Sequence, residues 1–365
     1  MMKLYKTLLI LISLTPTLLF SNTVNDNNSK KHEKSKTIKK YFSVNRNATL
    51  YINNKYGNIN VTTWNKNSVQ IDIKITVKGN TLDKVENKLN AIKVDFEASK
   101  DLVEARTRIE KTKSSWSSWW KSNNINFKIN YYIKMPVTNN ADFNNKYGNI
   151  EIDTLEGKTN INCDYGNIDI DKLTNNDNTI NLDYCDASDI NFIKAGNISI
   201  DYSTLRINNS KKIKINADYS TVRVQNSNTM KFNTDYGSVV VNNIENMYGN
   251  SDYTDVKIGT LKKNLDINAD YGSVKVQNVA NGFEKISIDG SYASIKLGTS
   301  STNDFKFIMN LGYASFNYPS NKVEMFKSIK KSSSKYYEGI FGNTNSNSLI
   351  SIKSDYGGVS IKIND

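Results

Sequence analysis

The sequence predicts an all-β fold. The expected architecture is a parallel β-solenoid (β-helix) of about eleven coils of 17–21 residues, with an N-terminal cap of β-strands and one helix. Three observations carry that expectation. First, twelve tyrosines recur as markers: Tyr56, Tyr147, Tyr165, Tyr184, Tyr202, Tyr219, Tyr236, Tyr253, Tyr271, Tyr292, Tyr313 and Tyr356. From Tyr147 to Tyr271 they stand 17 to 19 residues apart. Second, apolar residues flank each tyrosine at a spacing of two, the period of a strand with one buried face. Third, the residue after the tyrosine is always small, as at Gly57, Ser203, Thr254 and Ala293, and the next is usually Asn, Ser, Thr or Asp. That pair suits a tight corner or bulge between two strands.

Residues 1–21 read as a secretory signal peptide. Lys3 and Lys6 precede the apolar run from Leu8 to Phe20, and Ser21 is a small residue suited to cleavage. The run is short of the roughly 20 residues a membrane-spanning helix needs, so no transmembrane span is expected in the mature chain. Export places the protein in the periplasm, at the cell surface or outside the cell. Residues 22–41 read as a basic disordered leader, with Lys30, Lys31, Lys34, Lys36, Lys39 and Lys40 against Asp26 and Glu33. It holds the one histidine, His32, and part of the net charge of +12. Export argues against nucleic acid as a partner. Envelope glycans or surface proteins are the expected ones.

Residues 42–137 differ from the repeat. "NKYGNINVTTW" is a first unit, and "SVQIDIKITVKG" alternates as one long strand. "TLDKVENKLNAIKV" sets Leu82, Val85, Leu89 and Ile92 on one helical face, which predicts a helix over about 81–93 with Thr81 or Asn80 as its N-cap. "LVEARTRIE" and "INFKINYYIKMPV" read as strands again. The helix or a hairpin is expected to cover the first coil and hide its edge. Between those two strands lies "KTKSSWSSWWKSNN". Trp116, Trp119 and Trp120 there are three of the four tryptophans in the chain. They form either a contact surface or a cluster folded back over the solenoid end.

Residues 138–365 carry the solenoid. Ile, Val, Leu and Phe fill most of the slots four before, three after and five after the tyrosines, as at Ile161, Ile168 and Ile170. β-Branched residues dominate them, as strands prefer. The slots before and after the tyrosine have opposite parity, so the corner must shift the phase. A single unit buries too few side chains to order itself, and only stacking on its neighbours stabilises it. The unit at Tyr184, "YCDASDINFIKAG", is irregular and predicts a distorted coil. A hairpin insertion is expected over about 322–348. Cys163 and Cys185 occupy different slots, so the repeat supplies no reason to pair them.

The order of these pieces is itself informative. A "YGNINV" unit, a long strand, a helix, a strand ending in "YYIKMPV", a run of "YGNIEI"-type units, and "YYEGIFG" before a final "SDYGGVSI" resemble the bacterial β-strand-repeat domain family of unknown function labelled "putative adhesin". The likeness covers residues 42–365. It implies an exported β-solenoid of the cell envelope and brings no catalytic residues with it.

Four sets of residues are candidates for function. The tyrosine ladder (Tyr165, Tyr202, Tyr219, Tyr236, Tyr253 and Tyr271 among others) reads as structural shielding of a corner, with a sugar-stacking platform as the alternative. The residue before the tyrosine is Asp in seven successive units: Asp164, Asp183, Asp201, Asp218, Asp235, Asp252 and Asp270. Each carboxylate either closes an Asx-turn at its own corner or joins a Ca²⁺-binding stripe. Four after the tyrosine, pointing outward, lie Arg206, Arg223, Lys257, Lys275 and Lys296, interrupted by Val240 and preceded by Glu151 and Asp169. This basic stripe is either a solvated face or a binding surface for an acidic glycan or partner. The tryptophans are the fourth set. No cofactor is expected. The lone histidine, the absence of zinc-ligand spacing and the absence of a phosphate loop argue against an enzyme. The expected role is a non-enzymatic surface for adhesion, scaffolding or envelope sensing. A carbohydrate-binding module for acidic glycans is the alternative, and a glycan-cleaving β-helix enzyme, with Asp183, Asp186 and Asp189 at the irregular unit, the third.

Overall fold

The computed structural model describes residues 31–110, 125–343 and 345–364. Those residues are all-β apart from the helix Leu82–Ala91 and a 3-10 turn at Ser320–Lys322. The strands form because alternating branched residues can bury one face only if their backbones pair with neighbours. They pair in register and in parallel. Before the tyrosines, Ile161 lies between Phe143 and Ile180, and Ile198 lies between Ile180 and Ile215. After them, Ile170 lies between Ile152 and Ile190, and Ile207 lies between Ile190 and Val224. The chain therefore alternates between two parallel ladders, and residues one unit apart become neighbours. All these apolar positions point into one continuous core and are buried.

The corner is made differently from the sequence expectation. All twelve marker tyrosines have left-handed backbone, with φ between 47° and 63°. The small residue that follows is needed for close approach. A Cβ on Gly237 would stand 2.1 Å from the Ser220 carbonyl oxygen, a distance real side chains do not reach. One left-handed residue per unit also supplies the phase shift that the slot parity demanded. Both runs then face inward.

At the Tyr184 unit the expected distortion takes a definite form. One extra residue shifts the register, so that Ser188 pairs with Leu205 and Asp189 with Arg206. Ser188 thus occupies an apolar slot. It is fully buried, and its hydroxyl accepts a hydrogen bond from the Ile168 N–H at 3.2 Å. Elsewhere packing compensates between rungs. Phe232 fills the space left by Gly249, whose added Cβ would stand 2.5 Å from the Phe232 ring.

Both ends of the stack depart from sequence order. Ring contacts run from Tyr292 to Tyr356 and from Tyr356 to Tyr313, so the last unit in sequence sits between two earlier ones. Its strand Val359–Ile363 pairs with Ser294–Thr299 on one side and Phe316–Asn317 on the other. Beyond it the strand Phe305–Gly312 pairs antiparallel with Ser334–Phe341, which pairs antiparallel with Val323–Lys330. At the other end, Leu102–Ile109 and Ile125–Pro136 flank the Tyr56 unit from outside. Antiparallel strands again close the edge: Ser68–Gly79 on Ile125–Pro136, and Ile92–Ala98 on Leu102–Ile109. A long parallel edge is an aggregation hazard, and each end is blunted by strands of opposite direction.

The helix packs on the strands Ser68–Gly79 and His32–Ser43. It buries Val85, Lys88 and Ala91, while Leu82 is exposed and Ile92 already begins the next strand. Thr81 holds the N-cap position without a side-chain hydrogen bond. The leader expectation needs correction. Residues His32–Ser43 are not disordered but form a strand antiparallel to Ser68–Gly79 along its whole length. Backbone pairing supplies what the sparse apolar content does not, and lysine stems cover the helix. Lys36 Nζ donates to the Ile92 carbonyl at 2.7 Å, and Lys34 pairs with Glu86 at 3.6 Å. Residues 1–30, with the expected signal peptide, lie outside the described residues.

Candidate functional site

The stacked units turn each sequence slot into a row. The marker tyrosines form the longest. Eleven successive ring pairs have centroids 4.8–5.1 Å apart and planes within 22° of parallel. Left-handed backbone at the corner aims every ring along the same outward direction. Each ring is about half exposed, but its faces are covered by its neighbours, so the row shows solvent only ring edges and hydroxyls. A sugar stacks on a ring face, and the row does not offer one along its length. The open exception is the terminal Tyr313, 67% exposed. At the opposite end the edge of Phe127 covers Tyr56, with centroids 5.0 Å apart.

Beside it runs the aspartate row. Asp183, Asp201, Asp218 and Asp235 are register partners on successive rungs. Their backbone carbonyls accept the tyrosine N–H of the preceding rung, as in Tyr202 N to Asp218 O at 3.1 Å. Among the described residues, the one side-chain contact to this row's carboxylates is Lys146 with Asp164 at 3.4 Å. The Asx-turns expected at each corner are therefore absent. Partial burial first, then the neighbouring carboxylates, raises the pKa of Asp201 and of Asp252 above the usual carboxylate range. No three His, Cys, Asp or Glu side chains among the described residues are grouped to hold a metal ion. Single file, the Asp201, Asp218, Asp235, Asp252 and Asp270 carboxylates form no such group.

A third row escaped the sequence reading. Asn144, Asn162 and Asn181 are linked by side-chain amide hydrogen bonds of 2.8 and 2.7 Å. Asn216, Asn233, Asn250 and Asn268 continue the pattern at 3.3, 2.9 and 2.9 Å. Its signal was visible as Asn recurring three residues before the tyrosine.

The fourth row lies on the outer face of the post-tyrosine sheet. Glu151, Asp169, Asp189, Arg206 and Arg223 are successive register partners. Lys257, Lys275 and Lys296 follow as partners beyond Val240. All eight charged side chains are exposed. The row is thus acidic in its first three rungs and basic afterwards. Asp189 escaped the slot count because of the extra residue in its unit. Arg206 pairs with Asp189 at 3.7 Å where the sign changes, and Lys257 pairs with Asp255 at 3.5 Å. Among the described residues, Glu151, Asp169, Arg223, Lys275 and Lys296 have no ion pair. A separate open groove of about 650 Å³ on the pre-tyrosine sheet is lined by Lys212, Lys214, Lys231, Phe232 and Tyr248.

No family model matches the chain, and no curated protein matches it. Solved structures do. One is a "putative cell adhesion protein" from Clostridium sporogenes, 12% identical over 91% of this chain and 100% of that one, with TM-score 0.18. Two more are "putative adhesin" structures. That from Parabacteroides distasonis is 11% identical over 71% of this chain and 92% of that one, with TM-score 0.32. That from Parabacteroides merdae is 13% identical over 71% and 91%, with TM-score 0.31. The names coincide with the family the sequence resembles.

Trp116, Trp119 and Trp120 lie outside the described residues, so the fourth candidate set has no geometry. Cys163 and Cys185 are free and buried. Different slots have nonetheless brought them together: the Cys185 thiol donates to the Cys163 carbonyl at 3.2 Å. A hydrogen bond to Cys185, then burial, pushes the Cys163 thiol up. A thiol so held is inert rather than nucleophilic. No helix among the described residues is long and apolar enough to cross a membrane.

Proposed function

We propose that the protein is a non-enzymatic, exported β-solenoid of about eleven coils, which presents a long surface for adhesion, scaffolding or envelope sensing. In-register stacking is the observation that carries this reading. It stacks equivalent positions into rows on the order of 50 Å long, and so creates extended linear surfaces rather than a single cleft. Such surfaces suit polymers and flat partners, which gain from many weak contacts at once. A second reading is favoured by Arg223, Lys275 and Lys296, which are exposed and unpaired: the module binds acidic glycans.

Beads coated with the purified chain test both readings, together with a glycan array. Retention on protein-coated or cell surfaces without array signal supports the first. Array signal restricted to acidic glycans, falling as salt rises, supports the second. Beads that bind neither would remove the adhesive role.

A further inference from the structure

We propose that the outer face of the post-tyrosine sheet is a self-association surface, which joins two copies of this chain with their stacks antiparallel. The inference goes beyond the function above and does not depend on it. It rests on the charge order of one row. Numbered by rung, that row reads Glu151, Asp169, Asp189, Arg206, Arg223, Val240, Lys257, Lys275, Lys296.

Two copies can meet on this face around a two-fold axis in either of two ways. With stacks parallel, each side chain meets its own counterpart, and every acid faces an acid. With stacks antiparallel, the order reverses. Glu151 then faces Lys296, Asp169 faces Lys275 and Asp189 faces Lys257. The two-fold repeats these contacts, for six opposed pairs against one like pair, Arg223 with its mate. Arg206 meets Val240. Sliding by one rung in either direction loses opposed pairs and creates further like ones, so charge selects both the direction and the register.

The monomer pairs Asp189 with Arg206 and Lys257 with Asp255 but leaves both ends of the row without ion pairs. Glu151 and Asp169 are adjacent rungs without an ion pair, and so are Lys275 and Lys296. Like charges on neighbouring rungs repel, and association brings the opposite sign to both ends at once. The face is also accessible. Thr204, Thr221, Ser238, Asp255, Ser273 and Ser294 flank the row on one side, and apart from Asp255, which pairs with Lys257, these short side chains leave the long charged ones standing proud. Nine rungs at about 4.8 Å and a strand width of about 15 Å give roughly 600 Å² per partner, the low end of specific interfaces. A Kd on the order of micromolar, sensitive to salt, fits that size.

Sedimentation of the full mature chain is the first measurement. A dimer is expected at about 0.05 M salt and a monomer at about 0.5 M. Zero-length carbodiimide coupling reads the register. Glu151 and Lys296 are eight rungs, about 38 Å, apart within one chain, so a covalent link between their peptides must cross between copies. Charge reversal supplies the decisive control. Glu151→Lys with Asp169→Lys, and separately Lys275→Glu with Lys296→Glu, are each expected to be monomeric, and an equimolar mixture of the two is expected to dimerise. A wild-type chain that stays monomeric at low salt overturns the proposal. So does a mixture that fails to dimerise while both variants keep wild-type circular dichroism. A monomer that binds anionic polysaccharide through the basic half assigns the row to a glycan instead.

Discussion

The tyrosine corners combine an unfavourable backbone with a favourable contact, and substitution at Tyr236 separates the two. Its φ is 53°, and its ring stacks on Tyr219 and Tyr253 at 5.0 and 4.8 Å. Left-handed backbone costs a non-glycine residue about 1–2 kcal/mol. Two parallel ring contacts contribute about 0.5–1.5 kcal/mol each beyond area burial. Tyr236→Ala keeps the backbone cost and loses both contacts, so a loss of about 1–3 kcal/mol is expected, with lost burial added to it. Tyr236→Gly loses the same contacts but is relieved of the backbone cost. Glycine's greater unfolded freedom returns about 0.4–1 kcal/mol of that relief. Glycine is therefore expected to be the more stable of the two by roughly 0.5–1 kcal/mol, opposite to the usual order. Tyr236→Phe keeps the stack and is expected to match the wild type. Urea denaturation followed by far-ultraviolet circular dichroism measures all three. Alanine as stable as glycine would refute the backbone argument, and phenylalanine as damaged as alanine would refute stacking.

Three other outcomes follow from the same geometry. The folded state holds the Asp252 proton more tightly than the unfolded chain does, so its charge opposes folding at neutral pH, and that opposition fades as pH falls through the carboxylate range near 3.8. Asp252→Asn should raise Tm at pH 7, with the gain closing toward pH 4; a loss at both pH values contradicts the repulsive row. Deleting residues 349–365 removes the strand wedged between Ser294–Thr299 and Phe316–Asn317. Aggregation on size exclusion and a lower Tm are expected, whereas a monodisperse chain of unchanged Tm counts against the inserted order. Cys163 and Cys185 should resist thiol reagents in the native state and react fully in denaturant, and rapid native labelling contradicts their burial.

Much of the core was legible because the pattern is local. Alternation at Ile161, Ile168 and Ile170 states which side of each strand is buried, and the repeat states which residues share a row. The corner was only half legible. Glycine usually marks left-handed backbone, yet Tyr236 bears the positive φ and Gly237 serves the close approach. His32–Ser43 looked like a solvated tail because lysine counts as polar, although its stem can line a helix. Asp189 was hidden by one inserted residue. That residue decides where the charged row changes sign.

The sequence alone determined the two-residue alternation, the corner spacing and the chemistry of the tyrosine and aspartate rows, because these depend on backbone geometry within a single unit. The tertiary structure decided which unit lies beside which. The Tyr292, Tyr313 and Tyr356 units carry equivalent slots, and the slot pattern does not state which of them lies beside which. Their order of 292, 356, 313 is set by how the chain closes its ends, through contacts many residues apart that no local pattern encodes.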